Sequence, residues 1–160
     1  MLLFVALALG VRRSIFMVRV EGHSMAPQYF PGDRVLAARG WFVGRPRTGD
    51  VVVVRRPSGM ADPGHGNAKL LIKNVAAAPG DPEPEIFTAA TGNPVGTPTP
   101  DGCYLVLGRH VASEDSKRWG YVKRRDIVGR VLQRHPRRNA PGPGDPSVFR
   151  EQPRTLQWKE

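Results

Sequence analysis

Short runs of apolar and β-branched residues, each about as long as one strand, alternate along the chain with turn-forming residues. The clearest run is Val51-Val52-Val53-Val54, which follows the turn signal Thr48-Gly49-Asp50 and ends at two arginines and a proline. Such side chains pack well on a pleated sheet, whereas glycine, proline and aspartate favour turns. The predicted strands cover residues 14–20, 34–38, 51–54, 69–75, 83–88, 103–107 and 127–133.

The pattern predicts an all-β fold, because no stretch after Val11 repeats its apolar residues at the helical spacing of about 3.6. Strands this short indicate a small coiled or barrel-like β domain at residues 14–133. A short apolar segment, residues 1–13, precedes this domain, and a basic tail rich in proline and glycine, residues 134–160, follows it. The tail has little apolar content, so we expect it to be disordered and flexible.

The formal net charge of +10 on 160 residues is compatible with binding to nucleic acid, with attraction to an anionic membrane and with a merely solubilising surface. The sequence has no zinc spacing, no helix-turn-helix pattern and no interleaving of aromatic and basic residues. We therefore expect no nucleic-acid partner.

The single cysteine, Cys103, excludes an internal disulfide. It opens an apolar run and is interpreted as a small buried hydrophobe rather than as a nucleophile. No pair of histidines has the spacing of metal ligands. We expect neither a metal ion nor another cofactor.

Residues 1–11 carry no polar side chain, and Arg12-Arg13 end the run. As a helix this stretch would reach about 16 Å, whereas the hydrocarbon layer of a bilayer is about 30 Å thick. It also lacks the basic leader and the small-residue cleavage site of a secretory signal. The segment is interpreted as a possible membrane anchor, which makes membrane lipid an expected partner. A span truncated at a misassigned start and a packed helix are the alternatives.

Ser24 and Lys73 are the candidate catalytic residues. A serine hydroxyl is a weak nucleophile until a base removes its proton, and lysine is such a base only when its pKa falls toward neutrality. Strand alternation places Leu71, Lys73 and Val75 on one face. If that face is the core face, burial lowers the pKa of the lysine. The alternatives are an exposed lysine on a two-sided strand and a serine that caps a turn.

Three blocks occur in order along the chain. Ser24-Met25-Ala26-Pro27 precedes the turn Pro31-Gly32-Asp33, and Leu71-Ile72-Lys73-Asn74-Val75 precedes Pro79-Gly80-Asp81. The third block combines Gly108 with Ser113-Glu114-Asp115-Ser116-Lys117-Arg118-Trp119-Gly120. Over about residues 14–131 the chain resembles the type I signal peptidase family, the S26-like, membrane-bound serine-lysine peptidases.

The resemblance implies a role for each matching residue, and it makes residues 14–133 a serine-lysine peptidase domain. Ser24 matches the nucleophile, whose backbone N–H would form the oxyanion hole. Lys73 matches the general base, and Ser113 matches a serine that hydrogen-bonds and orients this lysine. Asp115 and Lys117 match a structural acid–base pair. The residues that resemble the lining of shallow apolar substrate pockets are Val20, Met25 and Ile72.

The third block departs from the family pattern, which usually begins Gly-Asp-Asn-Arg. Here the sequence is Gly108-Arg109-His110-Val111, and the segment up to Ser113 is one residue shorter. Lysine at position 117 replaces the usual arginine and lacks its bidentate fork. Pairing of Asp115 with Arg118 is therefore an alternative to its pairing with Lys117.

The resemblance implies a serine endopeptidase that cleaves signal or leader peptides after a small residue. Preproteins would be its substrates, and the catalytic domain would lie on the extracytoplasmic face of the plasma membrane. The alternatives are a maturation peptidase for one partner protein, a self-cleaving repressor-type serine-lysine protease and a catalytically inactive peptide-binding module. The block at 115–120 and the lack of a DNA-binding domain argue against the repressor type, and the presence of both Ser24 and Lys73 argues against an inactive module.

Overall fold

The computed structural model describes residues 14–20, 24–39, 44–57, 70–111 and 113–135. Within this part of the chain, antiparallel strands form one sheet that curls into a half barrel. The all-β fold class is therefore confirmed. In chain order the strands are β1 (Ile15–Arg19), β2 (Arg34–Arg39), β3 (Val51–Arg55), β4 (Leu70–Ala77), β5 (Cys103–Leu107), β6 (Val122–Lys123) and β7 (Ile127–His135). Across the sheet the order is β1-β2-β7-β3-β4-β5-β6.

The predicted strand at residues 83–88 is wrong. This segment forms a 3₁₀ turn at Glu85–Phe87, which continues into a short helix, α1 (Thr88–Thr91). Two alanines in the middle of α1 favour helix, and Pro84 stands just before the first turn, where its missing N–H is no loss. Phe87 is buried against Ala77 and Leu105, so its apolar character reflects packing under the sheet rather than strand pairing.

Another short helix, α2 (Ser116–Trp119), and a 3₁₀ turn at Arg124–Asp126 flank β6. Each of these elements is about one turn long, too short for apolar residues to recur at a helical spacing. This is why the hydrophobic pattern of the sequence shows no helix in this region.

Strand β3 lies at the middle of the sheet and is buried on both faces. Val52 and Val54 belong to one hydrophobic cluster and Val53 to another, as expected when successive side chains point to opposite faces. The first, here called the β5 cluster, consists of Val52, Val54, Val75, Ala78, Tyr104, Val106, Trp119, Val122 and Ile127. The second, here called the β2 cluster, consists of Val20, Met25, Tyr29, Val35, Ala37, Val53 and Ile72.

Irregular registers accompany the curl of the sheet. The pairing shifts between Leu36 and Ala37, between Val53 and Val54, and between Val75 and Ala77. Such bulges bend a strand and increase its twist. Gly129 lets β7 pass close to β2, because a Cβ at Gly129 would lie 2.5 Å from the carbonyl oxygen of Ala38.

The last strand continues two residues beyond its predicted end, through His135. Arg134 explains the extension, since its Nε donates to Oδ2 of the fully buried Asp33 at 2.8 Å. The same carboxylate oxygen accepts the backbone N–H of Phe30 at 2.9 Å. The turn after the first strand is therefore fastened to the end of the last one.

The predicted apolar segment, residues 1–13, lies outside the described residues, as do residues 136–160 of the predicted tail. In the described part of the chain, no helix has the length and apolar character needed to cross a membrane.

Candidate active site

Lys73 lies on β4 with its side chain buried, at 1% exposure. It pairs with Val52 of β3, and Leu71 pairs with Val54, so the lysine shares the face of the β5 cluster. Burial lowers the pKa of Lys73 from 10.5 to about 8. A lysine with this pKa is partly neutral near physiological pH and can accept a proton.

Charged groups around the lysine adjust this pKa in both directions. Asp115 and Glu114 raise the pKa of Lys73, and Lys117 and Arg56 lower it. Desolvation remains the largest influence. The surroundings therefore favour the neutral amine while acidic groups stay close to it.

The amine of Lys73 donates a hydrogen bond to Oγ of Ser113 at 2.6 Å. Both side chains are buried, so bulk water competes little for this bond. A neutral amine has one lone pair, and fixing one of its N–H groups limits the directions in which that lone pair can point. The loop that is one residue shorter than the family pattern nevertheless brings Ser113 to the lysine.

Ser24 begins the turn that leads from the described end of β1 toward β2 and is partly buried. Its carbonyl oxygen accepts the backbone N–H of Arg109 at 2.8 Å and that of His110 at 3.0 Å. The next residue, Met25, is buried in the β2 cluster, and its carbonyl oxygen accepts the N–H of Tyr29 at 2.9 Å. The backbone at Ser24 and Met25 is thus held by the loop after β5 and by the turn that contains Tyr29.

Gly108 stands between the two serines. A Cβ at Gly108 would overlap Oγ of Ser113 and would lie 3.0 Å from the carbonyl oxygen of Ser24. The absence of a side chain therefore lets the Ser24 turn and Ser113 approach each other. Through Gly108, the backbone of Ser24 therefore lies near Ser113, whose hydroxyl accepts the hydrogen bond from Lys73.

Asp115 is fully buried and organises the start of α2. Its Oδ1 accepts the N–H of Lys117 at 3.1 Å, which caps the helix. Its Oδ2 accepts the N–H of Gly108 at 2.9 Å and lies 3.2 Å from Nζ of Lys117. In this structure Asp115 pairs with Lys117, and Arg118 instead approaches Glu114 at 3.7 Å.

Sequence reasoning assigned no role to Glu114 or to Arg56. Nη2 of Arg56 lies 3.0 Å from Oε2 of Glu114, and their side chains are only 11% and 6% exposed. The signal in the sequence was weak: a glutamate beside Ser113 and an arginine just beyond a valine run. Opposite charges so far apart in the sequence reveal their pairing only when the sheet is known.

The residues assigned to substrate pockets lie together. Val20, Met25 and Ile72 all belong to the β2 cluster. Ile72 precedes Lys73 and faces the opposite side of β4. All three side chains are largely buried, and Ile72, at 7%, is the most exposed of them.

No group of histidine, cysteine and carboxylate side chains suited to a metal ion is found among the described residues. His23, next to the candidate nucleophile, lies outside them, whereas His110 stands exposed on the loop that contacts Ser24. Cys103 is buried at the start of β5 and contacts Nζ of Lys123 at 3.3 Å.

Comparison with known proteins matches most of the chain to one family. Residues 1–82 and 85–135 match the family described as signal peptidase, peptidase S26. The chain is 27% identical over 154 residues to the probable signal peptidase I-1 of Synechocystis sp., covering 83% of this chain and 79% of that protein. It is 28% identical over 151 residues to signal peptidase I of Leptolyngbya laminosa, covering 82% of this chain and 74% of that protein.

Proposed function

The chain belongs to the signal peptidase family, peptidase S26, and we propose that it is a serine endopeptidase that cleaves signal or leader peptides after a small residue. Membership of the family indicates a signal peptidase function, with preproteins that carry signal peptides as substrates. The proposal adds the mechanism: Ser24 is the nucleophile and Lys73 the general base. The observation that carries it is the buried amine of Lys73, hydrogen-bonded to Ser113 beside the Ser24 turn.

In the first half of the reaction, Oγ of Ser24 attacks the scissile carbonyl carbon while Nζ of Lys73 takes the hydroxyl proton. The carbonyl oxygen becomes an oxyanion, which the backbone N–H of Ser24 stabilises. The C–N bond then breaks, and Lys73 gives its proton to the leaving amine. This leaves the signal peptide attached to Ser24 as an ester and releases the mature protein.

In the second half, water attacks the ester carbonyl and Lys73 accepts a proton from this water. The ester bond breaks, the proton passes to Oγ of Ser24, and the signal peptide leaves as a carboxylic acid. Ser113 keeps the amine oriented throughout, and Asp115 with Lys117 keeps the Ser113 loop in place. Each step uses groups of this chain and one water molecule.

The apolar side chains of Val20, Met25 and Ile72 would border the pocket for the residue before the scissile bond. Because these side chains are packed into the β2 cluster, they leave little room to rearrange around a large substrate residue. This packing supports a preference for small residues such as alanine.

We place the catalytic domain on the extracytoplasmic face of the plasma membrane, where signal peptides emerge during export. The net charge of +10 is compatible with contact with anionic lipid headgroups. Any anchor within residues 1–11 lies outside the described part of the chain.

Replacement of each proposed catalytic residue tests the mechanism. Ser24→Ala and Lys73→Met are each expected to abolish cleavage of a preprotein ending in Ala-X-Ala before the cut, as measured by the masses of the two products. Thr88→Ala and Lys123→Met remove a hydroxyl and an amine of the same kinds elsewhere and should leave cleavage unchanged. Full activity of Ser24→Ala or Lys73→Met would refute the mechanism.

The same assay separates the alternatives. Cleavage of several unrelated preproteins supports a general signal peptidase, whereas cleavage of a single one supports a dedicated maturation enzyme. Binding of a signal peptide by the wild-type chain without any cleavage would instead identify an inactive peptide-binding module.

A further inference from the structure

We propose that Arg56 and Glu114 form a positioning pair that ties the Ser113 loop to β3 and so holds the Ser113 hydroxyl against the amine of Lys73. The tie between the Ser113 loop and β3 is a structural feature that does not depend on the proposed function. Its consequence for catalysis rests on the function proposed above.

The pair connects two elements that must stay aligned. Arg56 directly follows β3, and Glu114 directly follows Ser113. Nη2 of the arginine lies 3.0 Å from Oε2 of the glutamate, with both side chains nearly buried. The neighbouring Arg118 is 3.7 Å from the other carboxylate oxygen, but its side chain is 65% exposed and its contribution is correspondingly weaker.

Strand β3 thereby locates both partners of the hydrogen bond. It locates Lys73 through the ladder in which Val52 pairs with the lysine. It locates Ser113 through the contact of Arg56 with Glu114. Asp115 supplies a different tie, because its bond to the N–H of Gly108 holds the same loop to the end of β5.

A nearly buried ion pair resists separation, because a single charge left without its partner in such a place is strongly unfavourable. This makes the pair a stiff link rather than a surface contact. Since the Lys73 amine and the Ser113 hydroxyl must meet within hydrogen-bond distance, small displacements of the loop would weaken their bond.

The two members of the pair also act on Lys73 in opposite directions. Glu114 raises the pKa of Lys73 and Arg56 lowers it, while Asp115 raises it and Lys117 lowers it from the α2 side. Removing one charge of the pair leaves Asp115 and Lys117 unchanged. Loss of the Glu114 charge should therefore lower the pKa of Lys73, and loss of the Arg56 charge should raise it.

The test measures kcat and KM of the full chain against pH with a preprotein substrate. Arg56→Gln should move the acidic limb of the kcat/KM profile to higher pH, and Glu114→Gln should move it to lower pH. Both variants should lose about tenfold in kcat on the alkaline plateau, with KM nearly unchanged, because Ser113 is less well held. Arg55→Gln and Glu85→Gln, which remove the same charges from exposed sites, should show neither effect.

Single variants leave one buried charge unpaired and could unfold, so the double variant Arg56→Gln with Glu114→Gln is measured beside them. It should remain folded, and its acidic limb should lie between those of the two single variants, because two opposite charges are lost together. Its kcat should still fall about tenfold, because the link between β3 and the Ser113 loop is gone. Wild-type kcat in this folded double variant would overturn the proposal.

A second readout does not depend on catalysis. The amine of Lys73 is titrated by NMR in the full chain with ¹³C-labelled lysine, and its signal is assigned by its loss in Lys73→Met. Opposite shifts of this titration in Arg56→Gln and Glu114→Gln support the pair, even if the wild-type chain cleaves no preprotein and the proposed function fails. Shifts in the same direction, or no shift in either variant, overturn it.

Discussion

At the scale of single residues, the burial of Lys73 opposes stability and supports the proposed chemistry. The lysine is 1% exposed among apolar side chains, and its amine has the Ser113 hydroxyl as a hydrogen-bond partner. Desolvation disfavours the ammonium form, which lowers the pKa to about 8 and leaves part of the population neutral near pH 7. The same desolvation makes the charged folded state less stable.

The pH dependence of cleavage follows from this pKa. Lys73 must be neutral to accept the proton of Ser24, so kcat/KM should rise with pH through an apparent pKa of about 8 and then level off. The measurement is the initial rate of preprotein cleavage at low substrate concentration between about pH 6 and pH 10. A rate that falls over this range would contradict a lysine base.

The stability of the fold should depend on the same titration. The folded pKa of about 8 lies below the unfolded value of 10.5, so the unfolded chain binds more protons between these values and stability rises with pH there. At pH 7 the charged amine is a cost, and Lys73→Met is expected to stabilise the fold by about 2 kcal/mol after the lost hydrogen bond is allowed for.

Urea unfolding at pH 7 and near pH 10 measures this effect, and the advantage of Lys73→Met should shrink at the higher pH. Lys123→Met, on an exposed position of β6, is the control and should bring no comparable gain. A methionine variant that is less stable than the wild type at pH 7 would argue against an energetically costly lysine.

At the scale of elements, the loop from Gly108 to Ser113 joins three parts of the site. The loop follows β5, and two of its backbone N–H groups bind the carbonyl oxygen of Ser24. At its end, the hydroxyl of Ser113 accepts a hydrogen bond from Lys73. Gly108 makes this possible because a side chain there would occupy the space of the Ser113 hydroxyl.

Gly108→Ala should therefore be much less active than the wild type while remaining folded. The added methyl group must displace Ser113 or the Ser24 turn, and we expect a loss of at least about tenfold in kcat/KM. Gly102→Ala is not a clean control, since Gly102 has a positive φ of 69°. Ala89→Gly in α1 is a better one, because it changes a side chain by the same methyl group at an exposed position. Wild-type activity of Gly108→Ala would show that Ser113 can move aside without loss of function, which would contradict this prediction.

The elements also show what the sequence could reveal. The run of β-branched residues Val51-Val52-Val53-Val54 predicted a strand correctly, because such side chains pack well on a pleated sheet. The predicted strand at 83–88 is wrong, because the apolar residues Ile86 and Phe87 lie in a 3₁₀ turn and not in a strand. Phe87 is apolar because it packs under the sheet. The placement of Lys73 on the face of Leu71 and Val75 followed from alternation, but only the fold shows that this face is buried.

The candidate site was less accessible to sequence reasoning. Alternation and apolar neighbours pointed to Lys73, whereas Ser113 was found only through resemblance to a family. The hold on Ser24 has no side-chain signature at all, because main-chain N–H groups of Arg109 and His110 provide it. The pairing of Arg56 with Glu114 depends on where the strands lie and could not be predicted.

At the scale of the whole molecule, the fold is closed by a contact between its first turn and its last strand. Asp33 is fully buried, and Arg134 bonds to it from β7 while its guanidinium lies over the rings of Tyr29 and Phe30. Tyr29 and Phe30 belong to the turn that begins at Ser24, so Arg134 ties this turn to β7. Global stability and the position of the candidate nucleophile are therefore linked.

Two arginines of β7 give a matched comparison of this closure. Arg134 and Arg130 are each 30% exposed, but the partner of Arg134 is 0% exposed and the partner of Arg130, Asp50, is 26% exposed. Arg134→Gln should lower the free energy of unfolding by about 2–3 kcal/mol, and Arg130→Gln by less than about 1 kcal/mol. Urea unfolding of both variants decides the matter, and equal losses would show that burial of Asp33 has no special weight.

In the loop that follows Gly108, main-chain N–H groups bind the carbonyl oxygen of Ser24. This contact therefore does not depend on which side chains the loop carries. Arg109 and His110 contribute their amides to the site while their side chains stand at the surface. Substitution of Arg109 or His110 can therefore change the exposed surface of this loop without removing the main-chain hydrogen bonds to Ser24. The residues Arg109-His110-Val111 stand where the family pattern has Asp-Asn-Arg, and the amides of Arg109 and His110 bind the Ser24 carbonyl oxygen whatever side chains they carry.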